Sequence, residues 1–179
     1  VPARDAEGLP YLPGRTLKGL LRDACMDIER AWDLNLAEPL FGGPGQEGKI
    51  IVGDGVLPAE VAEQVHKMED RAEQAALKRD FFTRVARTAV DRETGTAKAH
   101  SLRDIEMGIP GLVFLSEVAV PTEDVLSLLA YAAKLVRTMG ANRYRGLGRC
   151  RLTLRREGQV VEPGTRYLDR GQKGGGTHE

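Results

Sequence analysis

Pro10, Pro13 and Gly14 lead directly into the stretch GLPYLPGRTLKGLLRDAC, residues 8–25, and their spacing suits the capture of an anion. The prolines hold the backbone extended and Gly14 allows a tight turn. Thr16 then reads as a helix N-cap. The N–H groups of Leu17, Lys18 and Gly19 would point out of the helix start, where the peptide dipoles favour negative charge. Arg15 and Lys18 add positive charge, Arg22 follows one turn on, and Gly19 lets a phosphate approach the backbone. The same residues also make an ordinary capped helix behind a stiff entry loop.

A second cluster is NRYRGLGRCR, residues 142–151. Gly146 and Gly148 permit close backbone approach, Arg143, Arg145 and Arg149 are charged fingers, and Tyr144 could stack on a base or simply pack. The spacing is not that of a P-loop, and the position between a helix and a strand is the reverse of a dinucleotide fingerprint. A third cluster spans residues 81–107. There Arg84, Arg87, Arg92, Lys98 and Arg103 alternate with Asp91, Glu93, Asp104 and Glu106. These residues either grip a partner or form a salt-bridged exposed hairpin.

Catalytic patterns are sparse. There is no nucleophile elbow and no HExxH, and the three histidines, His66, His100 and His178, are scattered. His100 reads as structural. Asp5 could bind a metal or act as a base, but the sequence assigns it no partner carboxylate for that role. Cys25 and Cys150 are far apart with no CxxC, which fits a reducing cytoplasm and gives no disulfide framework or zinc signature.

These clusters need elements to position them. Leu17, Leu20, Leu21, Ala24, Ile28 and Trp32 recur at helical spacing after Thr16. Residues 49–57 read as a strand, and 59–79 as one surface helix inserted over the core. Two extended arms flank the polar turn DRETG, so 81–107 reads as a hairpin. GLVFLSEVAV, 111–120, is apolar on both faces and reads as a central strand. Thr122 caps the next helix, whose stripe is Val125, Leu128, Leu129, Ala132, Val136 and Met139. In CRLTLRRE, residues 150–157, Cys150, Leu152 and Leu154 alternate with arginines. The order of helix, strand, hairpin arms, strand, helix and strand predicts an α+β, ferredoxin-like (RRM-like) core. Such a core opens on a strand, and residues 1–15 show no strand pattern, so the first strand is expected to be missing. The expected layout is a domain over 1–157 and a flexible tail over 158–179.

The length of 179 residues allows one domain with an insertion, and no apolar run is long enough to span a bilayer. The net charge of zero hides an asymmetry. Arg137 to Arg156 holds seven arginines and no acid, while Asp54 to Glu73 holds six acids against Lys67 and Arg71. One basic end on a neutral protein suits a polyanion partner.

The segments GLPYLPGRTLKGLLR, LFGG, VDRETGTAKAHSLR, IPGLVF and GANRYRGLGR occur in the order seen in the RAMP superfamily of CRISPR-associated proteins. The chain resembles most the repeated backbone subunits of type III effector complexes, from about Arg4 to Leu154. The resemblance implies a cytoplasmic, guide-RNA-binding subunit with a thumb hairpin, whose partners are guide RNA, target RNA and neighbouring copies or other effector subunits, with no membrane. Arg15, Thr16, Lys18, Gly19 and Arg22 would serve the first helix. Arg143, Arg145, Gly146, Gly148 and Arg149 would serve the glycine-rich loop, and Arg84, Arg87 and Arg92 would lie near the guide–target duplex. Family members of this branch cut target RNA with Mg2+ or another divalent cation and an aspartate. That aspartate is expected just upstream of Val1, leaving Asp5 as the nearest candidate in the chain. The alternatives are a non-cleaving structural filament subunit and a guide-RNA-processing ribonuclease, for which only Tyr11 and Tyr144 are loosely placed.

Overall fold

The computed structural model describes residues 3–87, 103–141 and 146–164. They form a mixed α+β structure. In chain order the first elements are β1 (Ala3–Arg4), β2 (Pro10–Tyr11), α1 (Gly14–Trp32), α2 (Ala37–Phe41), β3 (Gly42–Gly43), β4 (Gln46–Glu47) and β5 (Ile51–Val52). There follow α3 (Ala59–His66), α4 (Arg71–Asp80), β6 (Phe82–Arg87), β7 (Arg103–Gly108), β8 (Val118–Ala119) and α5 (Glu123–Leu135). The last are β9 (Arg155–Arg156) and β10 (Gln159–Val160). The described strands make five antiparallel pairs. Two compact units result, one from Val1–Pro13 with Asp54–Ser116 and one from Gly14–Gly53 with Glu117–Glu179.

The second of these units is built on α1 and α5. The helical spacing read from the sequence puts Leu17, Leu20, Leu21, Ala24 and Ile28 of α1 on the buried side, together with Cys25. Of these, Leu20, Leu21, Ala24, Cys25 and Ile28 pack with Val125, Leu128, Leu129, Ala132 and Ala133 of α5 and with Leu36, Leu40, Phe41 and Ile50. The Thr122 hydroxyl accepts the Val125 N–H at 3.4 Å, so Thr122 caps α5 as expected, with Glu123 and Asp124 in its first turn. β5 pairs with β8, matching Ile51 to Ala119 and Val52 to Val118. Cys150, Leu152 and Leu154 face this core while Arg149, Arg151, Thr153 and Arg155 are exposed, as the alternation requires.

The first helix begins at Gly14, two residues before the expected cap. Thr16 therefore stands inside the first turn and does not cap. The reason is tertiary. A Cβ on Gly14 would lie 2.4 Å from the Val52 carbonyl oxygen and 2.8 Å from Gly53, so the helix start is seated against backbone where only glycine fits.

The other unit holds the hairpin. β6 and β7 pair over six residues each, from Phe82 with Gly108 to Arg87 with Arg103, which confirms the arms; the turn lies outside the described residues. Leu9, Leu57, Val65, Phe81 and Phe82 form its core. Residues 59–79 are two helices, because Asp70 Oδ1 accepts the N–H groups of Ala72 and Glu73 and so starts α4 afresh. Residues 1–15 do contain strand, the β1–β2 pair. The strand read over 111–120 is confined to β8, and Val113 and Leu115 are 60% and 58% exposed, so it is not buried on both faces. Its first residue, Gly111, lies in a turn at φ 89°. The strand read over 49–57 is likewise reduced to Ile51–Val52.

Residues 158–164, read as the start of a flexible tail, turn back instead. β10 pairs with β9, and the Gly164 N–H reaches the Ser127 carbonyl at 3.3 Å. The rest of the expected tail, 165–179, lies outside the described residues. Among the described residues no helix is long and apolar enough to cross a membrane.

Candidate nucleic-acid interface

Positions 15, 18, 19 and 22 are three or four apart, so they share one edge of α1. Arg15, Thr16 and Arg22 are exposed, and Lys18 and Gly19 are half-buried. The first turn carries no acid. Arg15, Lys18 and Arg22 make no ion pair with any described residue, unlike Arg30, which bonds Asp27 at 2.9 Å further along the helix. Because α1 starts at Gly14, the N–H groups of Leu17, Lys18 and Gly19, expected to point out of the helix start, fall inside the i→i−4 ladder, and the first-turn groups are those of residues 14–16. A Cβ on Gly19 would meet no described residue within 4 Å, which leaves space beside the helix there. Asp23 and Asp27 follow on the same helix, so the basic edge is confined to its first two turns.

The glycine-rich loop is closed at its neck by backbone hydrogen bonds. The Met139 N–H donates to the Gly148 carbonyl at 2.8 Å, and the Cys150 N–H donates to the Arg137 carbonyl at 2.9 Å. Thr138 and Arg149 face one another in this short ladder. Gly148 has φ 71°, and a Cβ there would lie 1.9 Å from the Met139 carbonyl oxygen. Gly146 has φ 78°, and a Cβ there would meet no described residue within 4 Å. Arg149 is exposed beside the neck. Arg143, Tyr144 and Arg145 lie outside the described residues, and the expected convergence of this loop with the helix start turns on them. Arg156, from the basic run, is engaged with Glu123 at the start of α5.

On the hairpin, Arg84 is exposed and Arg87 half-buried. Arg92 and Lys98, with the turn and His100, lie outside the described residues.

Arg4, outside the clusters read from the sequence, meets Glu106 of the third cluster at the hairpin base. Arg4 Nη1 and Nη2 donate to Glu106 Oε2 and Oε1 at 2.9 and 2.8 Å, and the guanidinium carbon lies 3.8 Å from the Phe82 ring centroid. No local motif marks this pair, because the residues are 102 apart in sequence. The hydrogen bonds from Arg4 hold the Glu106 carboxyl below its ordinary value of 4.5; desolvation opposes this, and the charges of Arg4 and Arg84 add to it. The pair's contribution to stability is therefore complete above pH 4.5 and disappears as the pH falls through the lowered value. In acid unfolding, Glu106→Gln should be less stable than the parent at pH 7, and the two curves should merge at the acid end. Parallel curves throughout would show that the pair carries no linkage.

Asp5 has a job in its own turn. Its Oδ1 accepts the N–H groups of Glu7 and Leu9, each at 2.9 Å, and its N–H donates to the Leu9 carbonyl. Among the described residues no group of three His, Cys, Asp or Glu side chains stands where a metal ion could be held. Oδ1 of Asp5 is engaged within its own turn. Cys25 is fully buried, and burial, with Glu29 nearby, pushes its thiol up to about 12. Burial raises Cys150 as well, so neither thiol is set up as a nucleophile or ligand.

The family model of the RAMP superfamily matches residues 1–151. A search of curated proteins finds no match. Among solved structures, the chain is similar in fold to a chain in the cryo-EM structure of the type III-B Cmr-beta complex bound to cognate target RNA, with a TM-score of 0.55 and 20% identity. The match covers 86% of this chain and 48% of that one, so this chain spans about half of its neighbour's length.

Proposed function

The chain belongs to the RAMP superfamily, and on that premise we propose that it is a guide-RNA-binding backbone subunit of a CRISPR type III-like effector complex. The observation that carries this is the α1 edge. Arg15, Lys18 and Arg22 have no ion-pair partner among the described residues and, with Gly19, line one edge of the first two turns of α1. That arrangement reads a phosphate backbone and not bases, so binding should depend on salt and hardly on sequence. The neck of the glycine-rich loop offers a second rigid mount for arginines, and the hairpin a third basic surface. The neighbour's assembly is bound to target RNA, which favours RNA as the polyanion. The ferredoxin-like reading of the core is supported by the antiparallel β5–β8 pair and the packing of α1 with α5.

The commitment of Asp5 to its turn favours a non-cleaving role for the described residues, and no step of RNA cleavage is routed through Asp5 or a cation there.

Gly19→Ala tests the reading. Alanine in a helix interior is more favourable than glycine by about 0.5–1 kcal/mol, and here it meets no neighbour. Thermal stability should rise while affinity for a single-stranded RNA falls by at least about threefold, roughly 0.7 kcal/mol. A more stable protein that binds RNA as well as the parent would move the RNA away from α1.

A further inference from the structure

We infer that Arg4 is a positioning residue that fixes the β6–β7 hairpin against the β1–β2 ribbon, and so sets where Arg84 and Arg87 meet RNA. The inference rests on the RNA-binding reading above. Arg4 grips both arms. Its guanidinium forks onto Glu106 of β7 and lies over the ring of Phe82, the first residue of β6. Phe82 is itself buried in the core with Leu9 and Phe81, so the stack joins a fixed ring to a fixed carboxylate.

The mount beneath Arg4 is rigid as well. Arg4 pairs with Pro10 across β1 and β2, and the loop between these strands is held by the two N–H bonds to Asp5. Pro10 has a fixed φ, and the ribbon has little freedom to follow the hairpin. Among the described side chains the Arg4–Glu106 bridge is the one ion pair made by either arm.

Leverage makes the anchor matter. Arg87 is five residues beyond Phe82, or about 17 Å along the strand. A tilt of about 10° at the base would then move it by about 3 Å, enough to break a hydrogen bond to a phosphate. Exposed ion pairs contribute little to global stability. Losing this one should leave the fold intact and change the aim of the hairpin. A lysine cannot replace the fork, since it offers a point charge without the planar two-donor geometry.

The test uses the full chain and a single-stranded RNA probe. In Arg4→Ala the melting temperature should shift by no more than about 4 °C. Amide exchange over 82–87 and 103–108 should quicken about tenfold, and RNA affinity should drop about fivefold. Arg4→Lys should fail to restore either, while the swapped pair Arg4→Glu with Glu106→Arg should recover much of both. That recovery separates positioning from a direct Arg4–phosphate contact, which the swap would abolish. Unchanged exchange in Arg4→Ala overturns the anchor, and faster exchange with parental RNA affinity overturns its positioning role. Arg84→Glu in the otherwise parental chain is the separate check on the underlying reading. If Arg84→Glu leaves RNA affinity intact, the hairpin does not contact RNA, and that part of the proposed function fails whatever the exchange shows.

Discussion

Replacing both Lys18 and Arg22 by glutamate should strip the protein of RNA. Each is a basic side chain on the α1 edge without an ion-pair partner among the described residues, so neither reversal breaks an internal salt bridge. The apolar face of α1 is untouched, because Leu17, Leu20, Leu21 and Ala24 carry the packing. A charge-assisted hydrogen bond contributes about 1.5 kcal/mol at the lower end of its range. Losing two costs about 3 kcal/mol, or roughly 100-fold in Kd. The salt dependence should change too. Each phosphate contact on a single strand contributes about 0.7 to the slope of log K against log salt, so the slope should fall by about 1.4. Lys134→Glu is the control, an exposed basic residue in the last turn of α5. Binding titrations at several salt concentrations decide the matter. Equal affinities and slopes for the double variant and the control would leave α1 as an ordinary solvent-facing helix.

The second large effect is structural and centres on Gly148. Alanine there must hold φ near 71° and would put its Cβ 1.9 Å from the Met139 carbonyl oxygen. A left-handed backbone costs a non-glycine residue roughly 1–2 kcal/mol. The clash also forces apart the neck that the Met139–Gly148 hydrogen bond closes, worth about 1 kcal/mol more. The sum of about 2–3 kcal/mol corresponds to a fall of about 8 °C in Tm for a chain of this size. Gly146→Ala is the internal comparison. It has a similar φ of 78° but nothing in reach of a Cβ, so it should cost only the backbone share, about 1 kcal/mol. Calorimetry of the two variants separates the effects. Equal losses would mean that the close approach at the neck is relieved at no cost.

Much of this was legible along the chain because it rests on local rules. The apolar spacing of α1 and α5, the Thr122 cap and the arms of the hairpin follow from periodicity and short-range hydrogen bonding, which need no partner from elsewhere in the fold. The basic character of residues 15–22 and 143–149 was equally plain, since charge is read directly from composition. The Asp70 cap was also local, with Glu73 three residues on, but it was masked by helix-forming residues on both sides of it.

What the tertiary structure alone decided concerns contacts between distant residues. The start of α1 moved to Gly14 because the backbone of Val52 and Gly53 leaves no room for a Cβ, a fact no property of residues 8–25 contains. The Asp5 carboxylate met the N–H groups of Glu7 and Leu9 and so closes its own turn. Arg156 left the basic run when it met Glu123. Arg4 and Glu106 became a pair across 102 positions. Sequence by itself determined which segments could be amphipathic helices, which could be paired strands, and where positive charge would collect. The fold decided which charges are neutralised and which are left for a ligand, because neutralisation depends on distances of about 3 Å that only folding brings about.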